Sequence, residues 1–220
     1  MAANPCSLNP VVLRNLPLFS GLDDVELDKL SKVASRKRVE RGASVVRAGE
    51  VTDSLYILLS GRAKVTNTDE EGREIILAWL GPSEFFGEMG LLDGSPRSAN
   101  VVAAEACELM FLSKDAFQRC LQDNFQVAQK LMKILVQRLR EADRKIESLA
   151  LLDVYGRVAR LLLDMSEDVD GLRVVKKKIS KQDMAKMIGA SREMVSKVMR
   201  DLEIRGYIRY DDDLLVIPGV

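Results

Sequence analysis

Residues 86–99 read Phe86-Gly87-Glu88-Met89-Gly90-Leu91-Leu92-Asp93-Gly94-Ser95-Pro96-Arg97-Ser98-Ala99. Glycines at 87, 90 and 94 let backbone N–H groups converge on an anion. Arg97 adds a forked cation that matches a phosphate, and Ser98 adds a hydroxyl donor. Glu88, nine residues before Arg97, suits a ribose hydroxyl as an acceptor. A carboxylate and an arginine about one glycine-rich turn fit a sugar phosphate with one negative charge. They also fit a structural ion pair, and the residues alone leave both readings open.

Around this stretch the texture is that of strands. Eight of the fourteen glycines lie between Gly42 and Gly94. Short β-type runs fall at 44–47, 55–59, 62–66 and 74–80, and two more at 100–103 and 108–112. Turn signals at this spacing predict an all-β barrel or sandwich. Glu71-Gly72 reads as a hairpin turn. Upstream, residues 1–40 read as largely helical. Leu22, Val25, Leu30 and Val33 recur at helical spacing there, with Leu27 to one side, after a lead-in turn at 18–21.

Downstream, no glycine appears between Gly94 and Gly156. Ser113, with Ala116 and Phe117, starts a helix. A longer helix then carries Ala128, Met132, Leu135, Leu139, Ala142, Ile146 and Leu149 at alternating spacings of four and three. That is a heptad seam with charged flanks, and it predicts a parallel coiled-coil homodimer. The alternative is a helix packed on its own domain. Asp153 ends the seam and caps a helix at 154–165. The expected domains are 1–127, a β domain; 128–153, a dimerisation helix and hinge; and 154–220. Residues 167–171 read as an acidic loop.

Composition removes several functions. The chain has 220 residues, 33 basic and 33 acidic side chains, and no histidine. A Ser-His-Asp or Cys-His nucleophile is therefore impossible, as is a histidine-ligated haem or zinc. Cys6, Cys107 and Cys120 form neither a disulfide framework nor a metal motif. Reduced thiols, no signal-like N-terminus and no long apolar run indicate a cytoplasmic protein with no membrane partner. No metal site, no cofactor and no enzymatic activity are expected.

The net charge of zero is uneven. Residues 171–210 hold 11 basic and 4 acidic side chains, bounded by the acidic loop and by Asp211-Asp212-Asp213. Ser180 to Asp183 forms a capping box ahead of Met184, Ala185, Met187 and Ile188. Gly189 allows a sharp turn, Ser191 caps a second helix, and Val195, Val198, Met199 and Leu202 point inward. Its outward face carries Arg192, Glu193, Ser196, Lys197 and Arg200, a mixture suited to base edges and phosphates. Gly206 stops the helix, and residues 208–210 and 214–217 pair as a wing.

Phe-Gly-Glu-x-x-Leu followed by Pro-Arg-Ser-Ala is similar to the phosphate-binding cassette of cyclic-nucleotide-binding domains. Together with Leu18-Phe19-Ser20-Gly21-Leu22, Leu55-Tyr56-Ile57-Leu58 with Gly61, Leu151-Leu152-Asp153-Val154 with Gly156-Arg157, and Ser191-Arg192-Glu193, it makes the chain resemble bacterial regulators of the cyclic-AMP receptor protein/FNR family. The resemblance implies an α+β protein: an N-terminal β-roll of jelly-roll type that binds a cyclic nucleotide, a long dimerisation helix, and a C-terminal winged helix-turn-helix. It implies that Glu88 binds the ribose 2′-hydroxyl and that Arg97 and Ser98 bind the cyclic phosphate. Gly87 would shape the turn, with Met89 and Ala99 beside it. Ala142 and Asp143 stand where the cyclic-AMP receptor has a threonine-serine pair that touches adenine. Ala142 cannot hydrogen-bond through its side chain, whereas Asp143 can accept from an amino group. The implied ligand is a cyclic nucleotide, cyclic AMP or cyclic di-GMP; some relatives act without one.

The resemblance also implies that Arg192 and Glu193 read a half-site related to TGTGA, with Lys197 where the receptor has arginine. Lys181, Ser191, Ser196 and Arg200 join the DNA face. The dimer would use Met132, Leu135, Leu139, Ala142, Ile146 and Leu149 on a near-palindromic operator, and the 167–171 loop would meet RNA polymerase. If the basic stretch neutralises phosphates, affinity for operator DNA should fall steeply as salt rises. A flat dependence in a binding titration would count against direct DNA reading.

Overall fold

The structure, a computed structural model, describes residues 8–176, 179–211 and 214–218. The chain divides into two compact units, Met1–Gln137 and Arg138–Val220. Cys6, Lys177, Lys178, Asp212 and Asp213 lie outside the described residues.

The first unit begins with α1 (Pro10–Arg14) and α2 (Asp24–Val33). Asn9 caps α1, with Pro10 at its first position, where no hydrogen bond is lost. A capping box starts α2: Asp23 Oδ1 accepts from the Glu26 N–H, and Glu26 Oε2 accepts from the Asp23 N–H, both at 2.8 Å. Strands β1 (Ser35–Val39), β2 (Ser44–Val46), β3 (Ser54–Ser60), β4 (Ala63–Thr68), β5 (Glu74–Leu80) and β6 (Phe85–Phe86) follow. Then come α3 (Met89–Asp93), β7 (Asn100–Ala103), β8 (Cys107–Ser113) and α4 (Lys114–Asp123). Two antiparallel sheets result, ordered β1-β8-β3-β6 and β2-β7-β4-β5. Leu58, Phe86 and Leu109 from the first sheet and Ala63, Leu80 and Val101 from the second share one core. Leu55, Ile57, Met110 and Leu112 pack on the other side against helical Leu27, Leu30, Phe117, Val127 and Leu131. This is the expected β-roll.

Two expectations at the N-terminus are corrected. Residues 35–39 are strand, because β1 pairs with β8 from Ser35↔Phe111 to Val39↔Cys107. A partner distant in sequence overrides the local pattern. The buried face of α2 is Leu27, Leu30 and Ser31, whereas Val25 and Val33 are exposed. Leu22 is buried but precedes the cap. The Glu71-Gly72 turn does join β4 to β5. Asp69 steadies it by accepting from the Arg73 N–H at 2.8 Å, and that bond lowers the carboxyl pKa.

The long helix α5 (Phe125–Leu151) runs through the division between the units. Val127, Leu131 and Ile134 pack into the first unit's core. The seam occupies a neighbouring stripe, about a quarter turn away at ~100° per residue. Met132, Leu139, Ala142, Ile146 and Leu149 are exposed on it, and Leu135, between the stripes, is half-buried. No helix among the described residues is long and apolar enough to cross a membrane.

The second unit contains α6 (Val154–Met165), β9 (Glu167–Val169), β10 (Leu172–Val175), α7 (Lys181–Ile188), α8 (Arg192–Ile204), β11 (Arg209–Asp211) and β12 (Leu214–Ile217). Asp153 caps α6 by accepting from the Gly156 N–H at 2.8 Å. Its sheet is ordered β11-β12-β10-β9. The acidic loop expected at 167–171 is instead a hairpin. Val169 pairs with Leu172, and Asp170 and Gly171 both have positive φ, the geometry an Asp-Gly turn favours. Val158 and Leu162 of α6 pack with Met184, Ala185, Ile188, Val195, Met199 and Leu202. Phe117, fully buried among helices and strands, should carry much of the first unit's stability. Phe117→Ala should destabilise it by about 3–5 kcal/mol, measured as a shift in the urea midpoint.

Candidate functional site

The quoted stretch folds as strand, turn and a short helix, followed by an extended segment. Gly87, with φ +84°, turns the chain after β6. Glu88 precedes α3 and is almost fully buried; its carbonyl accepts from the Leu91 N–H at 3.0 Å. Arg97 is only 6% exposed. Its Nη1 donates to the Gly87 carbonyl at 2.9 Å and its Nη2 to the Ser54 carbonyl at 2.8 Å. Asp53 Oδ1, on an exposed side chain, lies 3.4 Å from Nη2. The Tyr56 ring lies 5.7 Å from the guanidinium carbon and stacks on Phe86 with centroids 5.2 Å apart. A buried cation would be costly without such partners.

The segment carrying Arg97 is latched to the loop before β3. The Arg97 N–H donates to the Glu50 carbonyl at 2.9 Å, and the Gly49 N–H donates to the Arg97 carbonyl at 2.8 Å. Thr52 Oγ1 donates to the Ser95 carbonyl at 3.1 Å. Ser98 is exposed, with its hydroxyl 3.7 Å from the sulfur of exposed Met89, and Ala99 is half-buried. The structure therefore brings Arg97 against Gly87 and Ser98 toward Met89, with Glu88 between Gly87 and Met89 in the chain. Ala142 and Asp143 are exposed positions on α5, in the second unit. Asp53, Ser54 and Tyr56 were missed by sequence reasoning. No local motif connects them to Arg97, since the link is a tertiary hydrogen bond between residues 43 apart.

The second cluster lies on α7 and α8. Ser180 accepts from the Asp183 N–H at 3.0 Å and Ser191 from the Met194 N–H at 3.1 Å, so both hydroxyls are helix caps. Lys181, Arg192, Glu193, Lys197 and Arg200 are exposed, while Val195, Met199 and Leu202 are buried. Ser196 is half-buried, and its hydroxyl donates to the Arg192 carbonyl at 2.8 Å. That leaves its oxygen as an acceptor toward any ligand.

Among the described residues no group of histidine, cysteine or carboxylate side chains is arranged to hold a metal ion. Cys107 and Cys120 are buried free thiols. Burial raises both thiol pKa values, that of Cys120 to about 11, which keeps both neutral and unreactive.

Comparison with known proteins matches both regions of the chain to known domains. Residues 36–124 match the model of the cyclic nucleotide-binding domain, and residues 156–218 that of the Crp-like helix-turn-helix domain. The chain is 30% identical over 210 residues to a CRP-like cAMP-activated global transcriptional regulator of Mycobacterium tuberculosis, covering 94% of each. It is 34% identical over 203 residues to the cAMP-activated global transcriptional regulator Vfr of Pseudomonas aeruginosa, covering 88% of this chain and 94% of Vfr. The structure of the c-di-GMP responsive regulator CLP from Xanthomonas campestris aligns with a TM-score of 0.75 at 27% identity, over 90% of this chain and 100% of CLP.

A Cβ at position 87 would lie 2.0 Å from Arg97 Nη1. Together with the positive φ, this makes Gly87→Ala a direct test of the arginine clasp. Thermal unfolding should show a loss of about 1–3 kcal/mol. An unchanged midpoint would show that the clasp is dispensable.

Proposed function

The chain belongs to the CRP/FNR family of transcription regulators, and from that premise we propose a homodimeric regulator whose operator affinity is set by a cyclic nucleotide held in the β-roll. The observation that carries this reading is the buried, pre-positioned guanidinium of Arg97, bonded to the Gly87 carbonyl next to Glu88 and followed in the chain by Ser98. A planar fork already held in place loses little freedom when a phosphate arrives. The Ser98 hydroxyl joins it, and Glu88 receives the ribose hydroxyl. The relatives named above are described as responsive to cyclic AMP or to cyclic di-GMP, and this chain is read as taking one of the two. The seam of Met132, Leu135, Leu139, Ala142, Ile146 and Leu149 forms the dimer, and its exposed apolar side chains support that role. Ala142 and Asp143 lie on the same helix. Asp143 then replaces hydroxyl contacts with a carboxylate that prefers donor groups.

Ligand bound at Arg97 tightens the β-roll against α5, and the paired helices reset the hinge at Asp153. The two α8 helices then enter successive major grooves of a near-palindromic site, about 34 Å apart. Arg192, Glu193 and Lys197 read bases, Ser196 offers an acceptor on the same face, and Lys181, Ser191 and Arg200 hold the backbone. The β9–β10 hairpin is offered to RNA polymerase, and the protein works in the cytoplasm. As members of a regulator family, such chains are not enzymes.

A second reading, a ligand-independent regulator, is favoured by one observation. Arg97 already spends donors on Gly87, Ser54 and Asp53, and a phosphate must compete with them. A gel shift on a TGTGA-type palindrome, with and without cyclic AMP, cyclic GMP and cyclic di-GMP, separates the two. One nucleotide should raise affinity at least about tenfold, and Arg97→Lys should abolish that rise while still binding DNA. Equal shifts under all conditions would establish the ligand-independent regulator.

A further inference from the structure

Arg157 belongs to a stretch that carries the family resemblance, yet it contacts no proposed ligand and lies outside the DNA-facing set. Half-buried in the second unit, it stands on the first turn of α6 and reaches the far end of α7. Its Nη1 donates to the Ile188 carbonyl at 2.7 Å. That carbonyl is among the last four of α7, for which the helix itself supplies no N–H. Gly189, left-handed at φ +62°, turns the chain outward. The Gly189 and Ala190 N–H groups both bond to the Ala185 carbonyl, the latter at 3.0 Å. The Ile188 carbonyl is therefore served from α6. The guanidinium also places positive charge at the negative end of the helix dipole.

Two further details bear on this clamp. Arg157 Nε is buried and, among the described residues, has no acceptor. A buried orphan donor is destabilising, so the side chain tolerates one unmet bond in order to make the other. A Cβ added to Gly189 would sit 3.9 Å from both Arg157 Nη1 and Leu149 Cδ2. The turn between the two helices is thus bracketed by α6 and by the last turns of α5.

We propose that Arg157 is a positioning residue for DNA reading. It fixes the turn at Gly189, and through it the angle at which α8 leaves α7. Arg192 and Glu193 follow within a few residues of the anchored carbonyl, so a shift of the turn reaches them directly. Base contacts depend on angle and distance, whereas phosphate contacts from flexible lysines tolerate small displacements. The signature of Arg157 is therefore specificity rather than total affinity. The inference rests on the reading of α8 as the helix that reads bases.

The test is fluorescence anisotropy of the full chain on a TGTGA-type palindrome and on a scrambled duplex of equal length. Titrations run in cyclic AMP and, separately, in cyclic di-GMP, with Arg192→Ala as reference. Arg157→Met should weaken palindrome binding about tenfold while changing scrambled-duplex binding by less than about twofold. Arg157→Lys, which keeps a charged donor, should recover most of the loss. An unchanged ratio between the duplexes in Arg157→Met, or an equal loss on both, overturns the proposal. If Arg157→Met does not fold, Arg157→Gln and Arg157→Lys carry the comparison, and an unchanged ratio in both overturns it. If Arg192→Ala leaves the ratio unchanged, the reading of α8 fails and the proposal falls with it. A lowered ratio in Arg192→Ala with an intact one in Arg157→Met rejects Arg157 alone.

Discussion

Burying an arginine is tolerable only where its N–H groups are met, and Arg97 meets two of them on backbone carbonyls, Ser54 and Gly87. Ser54 opens β3, the strand between β8 and β6, and Gly87 follows β6. One side chain therefore ties the glycine-rich turn to the middle of a sheet. The tie constrains its surroundings: position 87 has no room for a Cβ, and its φ is one that L side chains rarely adopt. Position 90 is equally closed, since a Cβ there would meet the Ser95 carbonyl at 2.1 Å. Gly87 is closed by the guanidinium itself and Gly90 by the Ser95 carbonyl and Thr52.

The long helix answers a different constraint. One stripe, Val127, Leu131 and Ile134, is used by the first unit's core. The adjacent stripe, Met132, Leu139, Ile146 and Leu149, is left exposed. Exposed apolar residues in a regular row form a surface that a second apolar face can cover. A single helix can serve two partners because 3.6 residues per turn place the stripes side by side without overlap, except at Leu135.

In the second unit, apolar packing and polar bonding do separate work. Val195, Met199 and Leu202 hold α8 against the core, but apolar contacts are weakly directional. Direction comes from bonds at helix ends: Ser180 and Ser191 at the starts of α7 and α8, and Arg157 at the end of α7. These fix where the exposed side chains of α8 begin.

Much of this was legible in the chain. Caps at Asp153, Ser180 and Ser191, the Glu71-Gly72 turn, most strands and the heptad seam follow from local propensity and period, which act over a few residues. The readings that failed were those decided by distant partners. Strand β1 exists because β8 lies beside it, and α2 buries Leu27 rather than Val25 because of where the sheet sits. The Asp170-Gly171 hairpin carried its own signal, masked by the acidity of its neighbours. The sequence by itself determined a β domain ahead of a long helix and a helix-turn-helix, the glycine-rich stretch with Glu88 and Arg97, and the charged face of α8. Only the tertiary structure decided that Arg97 is clasped by Gly87 and Ser54, and that Arg157 serves the end of α7. Hydrogen bonds between segments far apart in sequence leave no periodic trace along the chain.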